Sequence, residues 1–202
     1  LEIARLPLFD QVLALRVLRA RLGLTEIRRQ IGWLKSQNVN IICFEDVEYP
    51  MQLRELQNAP PVLCYLGELR KIPCNRSVAI VGSRNPSDSA ILETLNLTTR
   101  LVEAGFTIVS GFANGIDTTA HLGAISANGE VVAVVGSDLL SIYSADNRQL
   151  VTQISQNGMI LSEFLLPASF SRANLFFCNR IISGLTMATI VMESTIGDVS
   201  MR

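Results

Sequence analysis

The sequence predicts an α/β fold: a doubly wound, mainly parallel sheet with helices on both faces, preceded by a small helical module. Three observations carry this. From Val78 onward, short Val/Ile-rich runs alternate with longer stretches of helical periodicity. The runs are apolar almost throughout rather than at every second position, as strands covered on both faces must be. Two of them, Val78-Ala-Ile-Val-Gly-Ser-Arg84 and Thr107-Ile-Val-Ser-Gly-Phe-Ala-Asn-Gly-Ile-Asp117, break at a small residue into a polar turn that opens a helix.

The elements follow in order. Leu8 to Leu22 places Leu, Val and Ala at three- and four-residue spacing, with Arg16, Arg19 and Arg21 between them, and so predicts an amphipathic helix ending at Gly23. Thr25 is expected to cap a second helix through about Ser36, with Glu26 in its first turn and Lys35 in its last. These two helices form the module, residues 1–38. Asn40 to Phe44 reads as a strand, Tyr49-Pro50 opens a short helix over Met51 to Leu56, and Val62 to Leu66 reads as a second strand. Lys71 to Ser77 is a linker into the alternating region. There, strands are expected at 78–82, 107–110, 131–136, 159–162 and 188–193, and helices at about 88–104, 116–127, 146–156 and 173–184.

Composition removes several function classes. With 202 residues, of which 49% are hydrophobic, the chain can bury one substantial core plus a small attachment. No run of eighteen apolar residues occurs, so no membrane span is expected. The opening Leu1-Glu2-Ile3 has neither the basic start nor the apolar stretch of a signal peptide, and it lacks an initiator Met. The four cysteines, Cys43, Cys64, Cys74 and Cys178, show no Cys-x-x-Cys spacing. They read as idle thiols of a reducing, cytoplasmic setting, with no metal and no cofactor. A net charge of −1 excludes an overall basic nucleic-acid binder but not a local basic groove.

Ligands of doubly wound sheets sit at the carboxyl ends of the strands, near the point where strand order reverses. That rule gathers Gly82-Ser83-Arg84, Ser110-Gly111, Gly136-Ser137 and Ser162-Glu163 on one edge. Strand-to-helix junctions there would aim backbone N–H groups at an anion, with Arg84 supplying full charge. Gly82-Ser83-Arg84 is neither Gly-x-Gly-x-x-Gly nor a Walker loop, and alone it is also a tight turn with an exposed arginine. The loop Ser110-Gly111-Phe-Ala113-Asn114-Gly115 holds two glycines, which let backbone approach a ligand closely. Asp117 reads first as the cap of the following helix. His121, the single histidine, reads as a buried hydrogen-bonded residue rather than a catalytic base, because nothing completes a triad. Asn179 and Arg180 are expected at a helix start near the same edge, where a guanidinium can chelate phosphate. Among Phe170, Phe176 and Phe177 at least one should be core; Phe176 and, further away, Tyr143 are candidates for stacking on unpaired bases. Cys178 reads as packing.

These residues, in this order and spacing, resemble the DNA-processing protein A family, also called Smf. The matching stretches run from Tyr49-Pro50-x-x-Leu53-x-x-Leu56-x-x-x-Pro60 through Val78–Arg84, Ser110–Asp117 with Ala120-His121, and Gly129–Val135. They continue through Ile142-Tyr143 with Asn147 and Leu150, Gly158–Glu163, Asn179-Arg180-Ile181-Ile182 and Gly184-Leu185 to Glu193. The resemblance implies an extended Rossmann-like domain over 39–202 behind a SAM-like helical module. It further implies a homodimer that binds single-stranded DNA during natural transformation and hands it to a RecA-type recombinase. DNA would be held at Gly82-Ser83-Arg84, at the loop Ser110, Gly111, Ala113, Asn114 and Gly115, and at Asn179 and Arg180. The chain departs from the family at Ser89-Ala90, where Tyr-Gly is usual, and at Tyr143-Ser144, where Tyr-Pro is usual. It departs again at Phe176-Phe177-Cys178-Asn179-Arg180, where a proline and an arginine are lost. It also stops near Ser200-Met-Arg202, before a helix and strand the family places there, so a truncated end is expected.

The reading is therefore a non-enzymatic binder of single-stranded DNA, with slight base specificity. Two rivals stand beside it. One is a nucleotide phosphoribohydrolase-like enzyme on a related fold, although its Pro-Gly-Gly-x-Gly-Thr-x-x-Glu signature does not occur. The other is a degenerate family member acting only as a protein-interaction module.

Overall fold

The computed structural model describes residues 23–69, 76–143, 147–164 and 172–194. The predicted helix over Leu8 to Leu22, most of the linker, Phe170 and the chain end lie outside the described residues. Packing divides the chain into two compact units, Leu1–Val39 and Asn40–Arg202.

The described part of the first unit is helix α1 (Leu24–Ser36). Its N-cap is Gly23, with no side-chain capping bond, so Thr25 lies inside the first turn and is not the cap. The helix ends where Asn38 turns left-handed at φ 60°. The amides of Gln37, Asn38 and Val39 then close onto the carbonyls of the last turn.

The second unit is built on a seven-stranded sheet, taken up below in chain order. Strand β1 (Asn40–Cys43) and the one-turn helix α2 (Met51–Arg54) precede β2 (Val62–Gly67). The alternating region then supplies β3 (Ser77–Gly82), α3 (Asp88–Glu103), β4 (Thr107–Ser110), α4 (Ile116–Ser126) and β5 (Val131–Val134). It closes with α5 (Arg148–Asn157), β6 (Gly158–Ser162), α6 (Arg172–Gly184) and β7 (Ala188–Met192). Strand order is β1-β2-β6-β5-β4-β3-β7. The run from β6 to β7 is parallel, while β2 pairs antiparallel with both β1 and β6. The chain winds outward from β3 through β4 and β5 to β6, then crosses back to lay β7 against β3. Strand order therefore reverses between β3 and β7, with Val78 opposite Ile108 on one side and Ala188 on the other.

Continuous apolar runs make the central strands. Every residue of β4, β5 and β6 is buried, as is β3 up to Val81, because helices cover both faces. On one side the core gathers Val81, Val109, Val134 and Leu161 of the sheet with Ile181 and Ile182 of α6, Leu185 just beyond it, and the Tyr49–Leu53 turn. Tyr49 is buried with its hydroxyl donating to the Pro60 carbonyl at 2.7 Å. Its pKa is pushed up to about 12, chiefly by that burial. β7 differs: Ala188, Thr189 and Val191 are exposed, as expected of an edge strand.

Candidate functional site

The turn after β3 and the loop after β4 form two crests that touch. Gly115 sits at φ 85°, and a Cβ there would enter the van der Waals shell of the Ser83 carbonyl oxygen with the Arg84 carbonyl 2.8 Å away. The Ile116 amide, at the head of α4, donates to the Ser83 carbonyl at 3.0 Å. A side chain at position 115 would push the crests apart, so glycine is required there. Along the loop, the Thr118 hydroxyl donates to the Ala113 carbonyl and the Thr119 hydroxyl to the Gly115 carbonyl, each at 2.9 Å. The amides of Asn114 and Gly115 meet no acceptor among the described residues. Asn114 and Arg84 are both exposed on these crests.

Asp117 lies beneath the junction, only 8% exposed. It is not the cap of α4: the N-cap is Gly115, with no side-chain capping bond. Its carboxylate instead accepts from the Ala113 amide at 3.4 Å, binding back onto the loop that precedes it. Burial raises its pKa to about 6, against the pull of the Ala113 amide, the Ser110 hydroxyl, the Gly82 amide and the Arg84 guanidinium. Gly111 is held by the same group, since a Cβ there would stand 2.5 Å from the Asp117 Oδ2. His121 is fully buried and donates from Nε2 to the Gly111 carbonyl at 2.8 Å, the hydrogen-bonded structural role expected of it. Burial lowers its pKa to about 4, so the ring is neutral.

The first junction is less open than its sequence implies. Helix α3 is capped by Ser87. The Ser87 amide donates to both oxygens of the Glu193 carboxylate, at 3.0 and 3.2 Å, and the Ser87 hydroxyl donates to it as well. The Ser83 amide is taken by the Glu193 carbonyl at 2.8 Å. Glu193 follows β7 and holds φ 46° to make these bonds. The positive end of α3 therefore already faces a carboxylate. The usable amides belong to the second crest.

Arg180 lies in the middle of α6, not at a helix start, and its guanidinium is engaged. It grips the Glu163 carboxylate with both terminal nitrogens, at 2.8 and 2.6 Å. Nε donates to the Asn58 carbonyl at 3.0 Å, and the ring of Phe177 lies 5.5 Å away. This bidentate pair ties α6 to the end of β6 and to the turn before β2. Both groups are mostly shielded, at 23% and 14% exposure. Arg180→Ala should therefore lower unfolding free energy in urea by about 2 kcal/mol by stranding Glu163. A loss below about 0.5 kcal/mol would show the pair to be idle.

The stacking candidates Phe176 and Tyr143 are exposed, at 44% and 40%; Phe177 is 49% exposed, so neither phenylalanine of the pair is core. Cys178 is buried with its pKa pushed up to about 12 by burial, a packing thiol. At the neighbouring strand ends, the Ser162 hydroxyl donates to the Ser137 carbonyl at 2.7 Å. The Asn174 side-chain Nδ2 donates to the Gly136 carbonyl at 2.9 Å. Among the described residues, no cluster of His, Cys, Asp and Glu suited to a metal ion occurs. No described helix is long and apolar enough to cross a membrane.

Residues 40–200 match the family of the DNA recombination-mediator protein A. The chain belongs to that family. Among curated members, the Smf protein of Synechocystis is 42% identical over 166 residues, covering 79% of this chain and 41% of that protein. The DNA processing protein DprA of Bacillus subtilis is 30% identical over 168 residues, covering 83% of this chain and 57% of that one. The chain thus spans about half the length of the curated family members it matches. Of solved family structures, DprA of Streptococcus pneumoniae superposes with a TM-score of 0.76 at 30% identity, over 87% of this chain and 60% of that one. DprA of Helicobacter pylori, described for its single-stranded DNA binding mode, gives 0.68 at 27% identity, over 80% and 73%.

Proposed function

We propose that this chain binds single-stranded DNA with little base preference, gripping the phosphodiester backbone at the two touching crests. In this reading Gly82, Ser83, Arg84, Ser110, Gly111, Ala113, Asn114 and Gly115 form the phosphate ledge, with the Asn114 and Gly115 amides and the Arg84 guanidinium as donors. Asn179 and Arg180 build the wall beside it, and Phe176 and Tyr143 offer aromatic faces to unpaired bases. The contact of Gly115 with the Ser83–Arg84 backbone carries the proposal, because it brings the turn bearing Arg84 and the loop bearing the Asn114 and Gly115 amides to one spot. Membership of the family and the DNA binding described for the Helicobacter pylori member support it. The chain is taken to act without catalysis, as a cytoplasmic homodimer that passes DNA to a RecA-type recombinase during transformation.

Fluorescence anisotropy with labelled oligo-dT, a mixed-sequence strand and a duplex tests the central point. The two single strands should bind within a few-fold of each other and more tightly than the duplex. Log affinity should fall with log salt by about 0.7 for each phosphate neutralised. No binding to either single strand at low salt would end the proposal and favour a protein-interaction module.

A further inference from the structure

Asp117 is a carboxylate that reaches both crests, and the phosphate-binding role just proposed does not employ it. It accepts the Ala113 amide of the second crest. The Gly82 amide and Arg84 guanidinium of the first crest also act on it. Its Oδ2 lies so close under Gly111 that no side chain fits between. We propose that Asp117 is the positioning residue of this site: it braces the two crests from beneath, and its charge sets how tightly they hold a phosphate. This rests on reading the crests as the DNA phosphate site.

The brace works by selection among amides. Asp117 engages the Ala113 N–H within the protein, while the next two amides, Asn114 and Gly115, are left for an outside acceptor. The charge acts in the opposite sense. A phosphate seated on those amides comes near a buried carboxylate in a low dielectric, where like charges repel strongly. Binding then favours the neutral acid, and a proton is taken up with the DNA. Among the described residues, one charged neighbour bears on that titration. Arg84, from the turn after β3, stabilises the charged form. His121, one turn further along α4, is neutral above its depressed value near 4. Ile182 of α6, which packs at Gly111, is apolar.

The sign follows from linkage. Without DNA the carboxyl titrates near 6, and bound phosphate moves it higher. Affinity is therefore flat below about pH 6, falls as pH rises toward the bound value, and is flat again above it. The fall is roughly tenfold for each unit of that further shift. Folding alone shows a related trend. The folded value stands above the ordinary 3.8, so this stabilising contribution is complete below pH 3.8 and is lost as pH rises through about 6.

Asp117→Asn and Asp117→Ala separate the two roles. Asn keeps an acceptor for the Ala113 amide; Ala does not. Measured by hydrogen exchange without DNA, the Ala113 amide, which Asp117 holds, should exchange about tenfold faster in D117A, with D117N close to wild type. Across pH 5.5 to 8, oligo-dT affinity of the native chain should fall about tenfold, while D117N should bind tightly with a flat profile. D117N should also melt higher than wild type at pH 7.5 and lose the drop in Tm between pH 5 and 7. A D117N profile that still falls with pH, or loop exchange in D117A unchanged from wild type, overturns the proposal. A native chain that ignores oligo-dT at every pH removes the phosphate site itself; exchange and melting then still decide the brace.

Discussion

Arg84→Ala should weaken oligo-dT binding by roughly ten- to a hundredfold and reduce the salt slope by about 0.7. Arg84 is exposed at the head of the first crest, beside Gly115 and the two unclaimed amides of the second. Backbone amides carry partial charge only. The guanidinium is the full cation at that spot, and displacing one condensed counterion is what the slope counts. Arg84→Lys keeps the charge and should restore the slope, but only part of the affinity, since an ammonium cannot chelate two phosphate oxygens. Isotherms of R84A that overlay wild type at several salt concentrations would remove Arg84 from the interface.

Gly115→Ala should act on the scaffold that holds that contact. At φ 85° a non-glycine residue carries roughly 1–2 kcal/mol of strain, before any contact is considered. The atoms a Cβ meets are the carbonyls of Ser83 and Arg84, backbone that cannot rotate away as a side chain would. Together these should lower unfolding free energy by about 3 kcal/mol in urea and abolish binding under conditions where the chain is still folded. Asn114→Ala, one residue earlier on an exposed side chain, should leave stability within about 0.5 kcal/mol. If G115A is as stable as N114A, the two crests do not bear on each other as described.

Most of the sheet was legible in the sequence because parallel strands announce themselves by type rather than by partner. The runs at 107–110 and 131–136 need only be apolar and bounded by small residues, and they form at Thr107–Ser110 and Val131–Val134. Errors collected at helix starts and where a residue's role depends on a distant partner. Thr25 and Asp117 both satisfy the local rule for a helix cap, and neither caps, because glycines take those positions. Arg180 looked available, yet its partners are Glu163 and the carbonyl of Asn58, the latter 122 positions away. Glu193 meets Ser87 across 106 residues, a pairing no window along the chain can contain. A charged residue directly after a strand, as at Glu163 and Glu193, was the available hint. It marks a group with something to hold at the sheet edge, without naming it.

Glu193 also bears on what the protein refuses. The crevice between β3 and β7 is where doubly wound sheets ordinarily receive a mononucleotide. Here it is furnished from within. A free nucleotide bringing its terminal dianion to Ser87 meets a resident negative charge and amide groups already spoken for. A polymer passing over the neighbouring crests has no need of that berth. On the proposed reading, free nucleotides should therefore compete poorly with a single strand.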